Sequence, residues 1–149
     1  MLAGESESPM FRDDLLGVER ITVPLKTAFA TADTEDEFPA FRAPYAATVT
    51  ALRYIPETAI TGDATNHAVL SAQNKGAAGS GTDEVASFAF DTPTTDDVAA
   101  LDEKAITLSA TAANLNLAAG DIVSIKKTTP GTGLALDGIV IFEIRKRGA

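Results

Sequence analysis

Residues 115–146 read LNLAAGDIVSIKKTTPGTGLALDGIVIFEIRK. Two apolar runs flank a loop of Thr, Pro and Gly, and neither His nor Cys lies between them. Apolar residues precede the Gly120-Asp121 turn signal and alternate after it, so the stretch reads as strands joined by turns. Gly120 can take the positive φ that such a turn demands. In the last strand Val140, Phe142 and Ile144 share one face and should meet the core. Ile139 and Ile141 then point the other way. Either a neighbouring subunit covers that second face, leaving an apolar interface patch, or both faces are buried within one chain.

Working outward, the same period of two recurs. In ERITVPLKTAFATA, Ile21, Val23, Leu25, Thr27 and Phe29 fall on one face. Pro24 cannot donate to a ladder, which places this strand at an edge or at a bulge. Pro39 and Pro44 break the next segment, and a strand follows from Tyr45 to Ile55 with Val49 and Ile55 facing opposite to Leu52 and Tyr54. HAVLSAQNK and EVASFAFD read as strands separated by the flexible loop GAAGSGTDE. TPTTDDVAALDEK can form one helical turn capped by Thr95 or Asp96, and KAITLSA places Ile106 and Leu108 on one face. About eight strands and no long helix predict an all-β fold, an antiparallel β-sandwich of jelly-roll type spanning residues 18–149.

Residues 1–17 read differently. Glu5, Ser6, Glu7, Ser8 and Pro9 cannot build a core. The segment is either a frayed terminus or an extended arm that orders on a partner, with Met10, Phe11, Leu15 and Leu16 as apolar anchors.

Composition narrows the function. With 149 residues the chain can bury a sizeable core as one domain. A net charge of -9 argues against nucleic-acid binding, because phosphate contacts need Lys and Arg; the short run Arg145, Lys146, Arg147 reads as a solvated strand end. The absence of Cys removes disulfides and thiolate-held metals. The N-terminus lacks the pattern of a signal peptide, and GIVIF is too short to span a bilayer. A soluble protein without membrane attachment is expected, either intracellular or released by another route.

Candidate chemistry is sparse. His67 is the only His, with no Cys and no Gly-flanked Ser to accompany it. Asp33, Glu35, Asp36 and Glu37 cluster in one loop and Asp96, Asp97, Asp102 and Glu103 in another, but neither has the spacing of a calcium loop. GAAGSG lacks the Lys-Ser/Thr ending of a phosphate loop. Without Trp, and with only Tyr45 and Tyr54, a sugar-stacking platform is poorly supplied. No catalytic, metal or cofactor site is expected.

The segment LNLAAGDIVSI resembles the late strands of jelly-roll proteins, including trimeric ones of the tumour-necrosis-factor and complement type. Together with the acidic arm, the Ala/Thr/Gly-rich β-domain, the TTPGTGLAL loop and the final hydrophobic strand, it is similar to head decoration proteins of tailed bacteriophages. That resemblance implies a virion protein on the capsid surface, made in the host cytoplasm. Its partners would be the major capsid protein and two further copies of itself in a homotrimer, with the arm reaching the coat subunits. The competing expectation is a receptor- or carbohydrate-binding β-sandwich module of a phage tail fibre or surface protein. A β-sandwich hydrolase using Asp33 or Asp96 is a third.

Overall fold

A computed structural model describes residues 18–148. The arm, with Met10, Phe11, Leu15 and Leu16, lies outside the described residues. Ten strands form two antiparallel sheets: β1 (Val18–Pro24), β2 (Asp36–Arg42), β3 (Ala47–Ile55), β4 (Val69–Asn74), β5 (Asp83–Ala89), β6 (Lys104–Ala105), β7 (Thr107–Leu108), β8 (Asn116–Leu117), β9 (Ile122–Thr128) and β10 (Ile139–Lys146). The first sheet runs β1-β10-β3-β6, with β8 also on β3, and the second runs β2-β9-β4-β5-β7. The expected all-β, sandwich-like class is therefore present. The strand count is higher than eight because several pairings are only two residues long.

The alternation in the last strand holds. Val140, Phe142 and Ile144 are fully buried between the sheets, and Ile139 and Ile141 point outward. β10 lies between β1 and β3, which supply partners along its whole length. β1 is an edge strand, as Pro24 requires. It ends at Pro24 rather than running on to Phe29. The chain instead turns through a 3-10 segment at Thr27–Ala30, which drops Phe29 into the core against Phe38, with ring centroids 5.4 Å apart.

Three bulges correct the expected facing of side chains. In β3, Glu143 pairs with Ala51 and Ile144 with Val49, so Thr50 is the extra residue. Its hydroxyl donates to the Glu143 carbonyl at 3.1 Å. Val49 thereby joins Leu52 and Tyr54 on the inner face instead of opposing them, and all three are buried. In β2, Ala40 is the extra residue, which lets Phe38 and Phe41 both face inward. Pro39 does not break this segment: β2 is the edge of its sheet. In β5 the extra residue is Val85.

KAITLSA is one bent segment that serves both sheets. β6 pairs with β3, β7 pairs with β5, and buried Ile106 between them donates its N–H to the Leu52 carbonyl at 2.9 Å. The helical turn expected near Thr95 does not form. Asp96 is buried and accepts the Thr92 N–H at 2.8 Å, closing a turn in which Thr94 has φ 65°. Gly120 does adopt a positive φ, 91°, before β9.

The core joins the sheets through edge-on aromatic pairs. Phe41 of the second sheet meets Phe142 of the first at 5.0 Å, and Tyr54 of the first meets Phe90 at 6.0 Å. Each such contact adds roughly 0.5–1.5 kcal/mol beyond area burial. The Tyr54 hydroxyl reaches the Asp137 carbonyl at 2.6 Å, and burial pushes its pKa upward.

Candidate interaction surface

The outward face of the first sheet is built from alternate residues of three strands. Across its middle, Glu143 of β10 lies 3.2 Å from Arg20 of β1 and 3.6 Å from Arg53 of β3, and Arg53 reaches Glu103 at 3.3 Å. These pairs remain partly solvated, so each contributes on the order of 1 kcal/mol or less; their effect is to neutralise the face locally. Toward one end the charges give way to apolar residues. Ile141 lies between Thr22 and Arg53, and Ile139 lies between Pro24 and Ile55. Ile139, Ile141 and Ile55 stay partly accessible.

Two hollows flank the start of β10. One, of about 420 Å³, is bordered by Leu25, Thr27, Leu136 and Asp137. The other, of about 230 Å³, is bordered by Ile55, Pro56, Glu57, Leu101, Gly138 and Ile139. Leu101 stands at its rim, 77% exposed, the one large apolar side chain so exposed among the described residues. Its backbone is left-handed, φ 67°, held by its N–H to the Pro56 carbonyl at 2.8 Å. The sequence does not mark Leu101, because TPTTDDVAALDEK reads as a segment with one helical turn and carries no sign of a left-handed backbone at this position.

The sequence-derived candidates for chemistry do not converge. Asp36 pairs with Lys26 at 2.6 Å, Glu37 accepts from Ser124 and lies 3.3 Å from Lys75, and Glu35 accepts the Thr129 N–H at 2.8 Å. Asp97 accepts the Gly62 N–H at 2.9 Å, and Glu103 is held by Arg53. Asp102 is exposed next to Leu101. No group of three or more potential metal-ligating side chains occurs among the described residues. His67 donates its backbone N–H to Pro130 at 3.3 Å, and its Nδ1 is buried without a hydrogen-bond partner. The GAAGSG loop folds back through Gly81 N–H to the Lys75 carbonyl at 2.8 Å and Ile122 N–H to the Gly76 carbonyl at 3.1 Å. Tyr54 is buried, and the Tyr45 hydroxyl donates to Glu19.

Several carboxylates act as loop clamps, and this fixes the response to acid. The hydrogen bond from Lys26 holds the Asp36 pKa down, and the Asn66 and Thr65 backbone N–H groups do the same for Asp63. Burial works to raise Asp137, but it is outweighed by the Thr58 hydroxyl and the Thr58 and Glu57 N–H groups. Burial is likewise outweighed at Glu37 by Ser124 and Lys75. A carboxylate with a depressed folded pKa contributes stability that is full above its ordinary pKa and lost as pH falls through the depressed value. The midpoint of thermal unfolding should therefore hold near neutrality and drop by several degrees between about pH 5 and pH 2. Asp137→Asn should be less stable at pH 7 and show a shallower drop; an unchanged midpoint down to the lowest pH would refute the clamp assignment.

No family model matches the chain, and no similar protein was found among curated proteins or solved structures. Among the described residues no helix is long and apolar enough to cross a membrane.

Proposed function

We propose that this chain is a non-enzymatic virion structural protein of a tailed bacteriophage, a decoration protein that binds the outside of the assembled head and stabilises it. The observation that carries this reading is the outward face of the first sheet. It combines locally neutralised charge with partly accessible Ile55, Ile139 and Ile141 and a projecting Leu101, the make-up of a protein-contact surface. Of the carboxylates considered for chemistry, Glu35, Asp36, Glu37, Asp96, Asp97 and Glu103 are instead engaged in loop clamps and ion pairs.

The strand order supports a jelly roll. With β6 and β7 counted as one bent strand and β8 as a short extension, eight main strands remain. They pair first with last (β1·β10), second with seventh (β2·β9), third with sixth (β3·β6) and fourth with fifth (β4·β5), the pattern of a long hairpin rolled into two Greek-key sheets. In this reading three copies form a trimer on the capsid surface, after synthesis in the host cytoplasm, and the 1–17 arm reaches the major capsid protein. Many identical weak contacts add through multivalency. Because they exist only on the assembled shell, they favour it by mass action.

Co-sedimentation with capsids assembled from the cognate coat protein tests the reading. The full chain should bind saturably, and a variant lacking residues 1–17 should bind at least ten-fold more weakly. Absence of capsid binding at micromolar concentrations overturns the proposal. Glycan binding without capsid affinity would support the receptor-binding module instead.

A further inference from the structure

We propose that Leu101 and the hollow beside it form a self-association contact, in which Leu101 of one copy enters the hollow bordered by Ile55, Pro56 and Ile139 of a second copy. This deepens the trimeric part of the reading above and is independent of its capsid part.

Three observations bear on it. First, Leu101 carries two unfavourable features at once. It exposes 77% of its surface and holds a left-handed backbone, a conformation that costs a residue with a Cβ roughly 1–2 kcal/mol. The turn is fixed on both sides, by Leu101 N–H to Pro56 and Asp102 N–H to Ala99 at 3.1 Å, so the side chain is presented rather than loosely attached. Burial against an apolar partner offsets both features.

Second, the receptor for such a knob is on the same surface. The hollow of about 230 Å³ is walled by Ile55, Pro56, Glu57, Gly138 and Ile139, carries Leu101 of its own copy at the rim, and is open to one side. A surface that offers both knob and hollow allows a head-to-tail contact: in a closed ring each copy gives one and receives one.

Third, charge selects the partner. The chain carries -9 overall, so most approaches of two copies are repulsive. On this face Arg20 and Arg53 pair with Glu143 and Glu103, and Arg145 lies two residues beyond Glu143 on the same side of β10. With Glu57 and Asp102 at the rim, the face comes within one charge of neutral. Two copies can therefore meet here without the repulsion that opposes contact elsewhere.

Sedimentation velocity and light scattering on the purified full-length chain, without capsids, test the contact. The wild type should be oligomeric at tens of micromolar. Leu101→Asp should raise the dissociation constant at least a hundred-fold. Leu101→Asn should raise it at least ten-fold while leaving the monomer's thermal midpoint unchanged or higher, because Asn tolerates the left-handed region better. Loss of association without loss of fold separates an interface residue from a structural one. The proposal is overturned by a wild type that stays monomeric, or by variants that associate as tightly as the wild type. It is also overturned if removal of residues 1–17 alone abolishes association, which would make the arm the occupant. Loss of self-association in the variants would count for the contact even if no capsid were bound.

Discussion

Gly138→Ala should lower the stability of the protein by about 4 kcal/mol or more, a large part of the roughly 5–15 kcal/mol reserve of an ordinary domain. Gly138 sits at φ 106° immediately before β10, and its carbonyl accepts the Leu25 N–H at 2.9 Å. A side chain there meets two penalties. The backbone angle costs a residue with a Cβ roughly 1–3 kcal/mol. The added Cβ would also lie 2.1 Å from the Ile55 carbonyl oxygen and 3.0 Å from the Glu57 nitrogen, so the β3 end must move away from the start of β10. Gly79 provides the control. It has φ 78° but nothing within 4 Å of the position a Cβ would take, so Gly79→Ala should cost only the backbone term, about 1–2 kcal/mol. Urea unfolding of the two variants checks the difference; equal losses would show that the close approach at Gly138 is relieved without consequence.

Lys127→Met should cost roughly 3 kcal/mol, read as a fall of about 10 °C in the unfolding midpoint. Lys127 is fully buried at the end of β9. Its Nζ donates to the carbonyls of Phe29 and Thr31, both at 2.8 Å, and of Ala32 at 3.3 Å. These bonds tie the 3-10 turn and the loop after it to the second sheet. Methionine fills similar space but removes all three donors. Each charge-assisted bond is worth about 1.5–3 kcal/mol, and the relief of burying an ammonium group returns several kcal/mol of that sum. The carbonyls of Phe29 and Thr31 keep backbone donors from Leu136 and Thr34, which limits the loss.

The pH response separates these contributions. Burial lowers the Lys127 pKa, and nearby Asp33 opposes that shift. The folded protein then releases this proton before the unfolded chain does. The cost of burying the charge is present in full below the lowered pKa and fades as pH rises toward the ordinary lysine value. The wild type should therefore gain stability relative to Lys127→Met on the alkaline side; parallel profiles would count against a buried charged lysine.

Strand positions were legible wherever apolar residues alternate, as in Val140, Phe142 and Ile144. What simple alternation missed follows a second rule visible in the same residues. Val49 and Leu52, and Phe38 and Phe41, are three positions apart, which in an unbroken strand puts them on opposite faces. Both members face the core only because Thr50 and Ala40 bulge out. Lys127 was also within reach: it shares parity with Val123 and Ile125, the inward face of β9. Leu101 was not, since its left-handed turn depends on a bond to Pro56 far away in sequence. The pairing of Ile139 with Pro24 and Ile55, and the hollow beside them, likewise comes from strands brought together only by the fold.

The place of β10 in the first sheet has a consequence for biosynthesis. The strand that joins β1 to β3 is the last of the ten to leave the ribosome, while its partners are made early. Until it arrives, β1 has no neighbour and β3 presents an open edge flanked by the residues that later form the core. The nascent chain can close its second sheet, whose strands are complete by Thr128, but the first sheet must wait and then insert its central member. Such non-local closure is slow and leaves strand edges open to wrong partners.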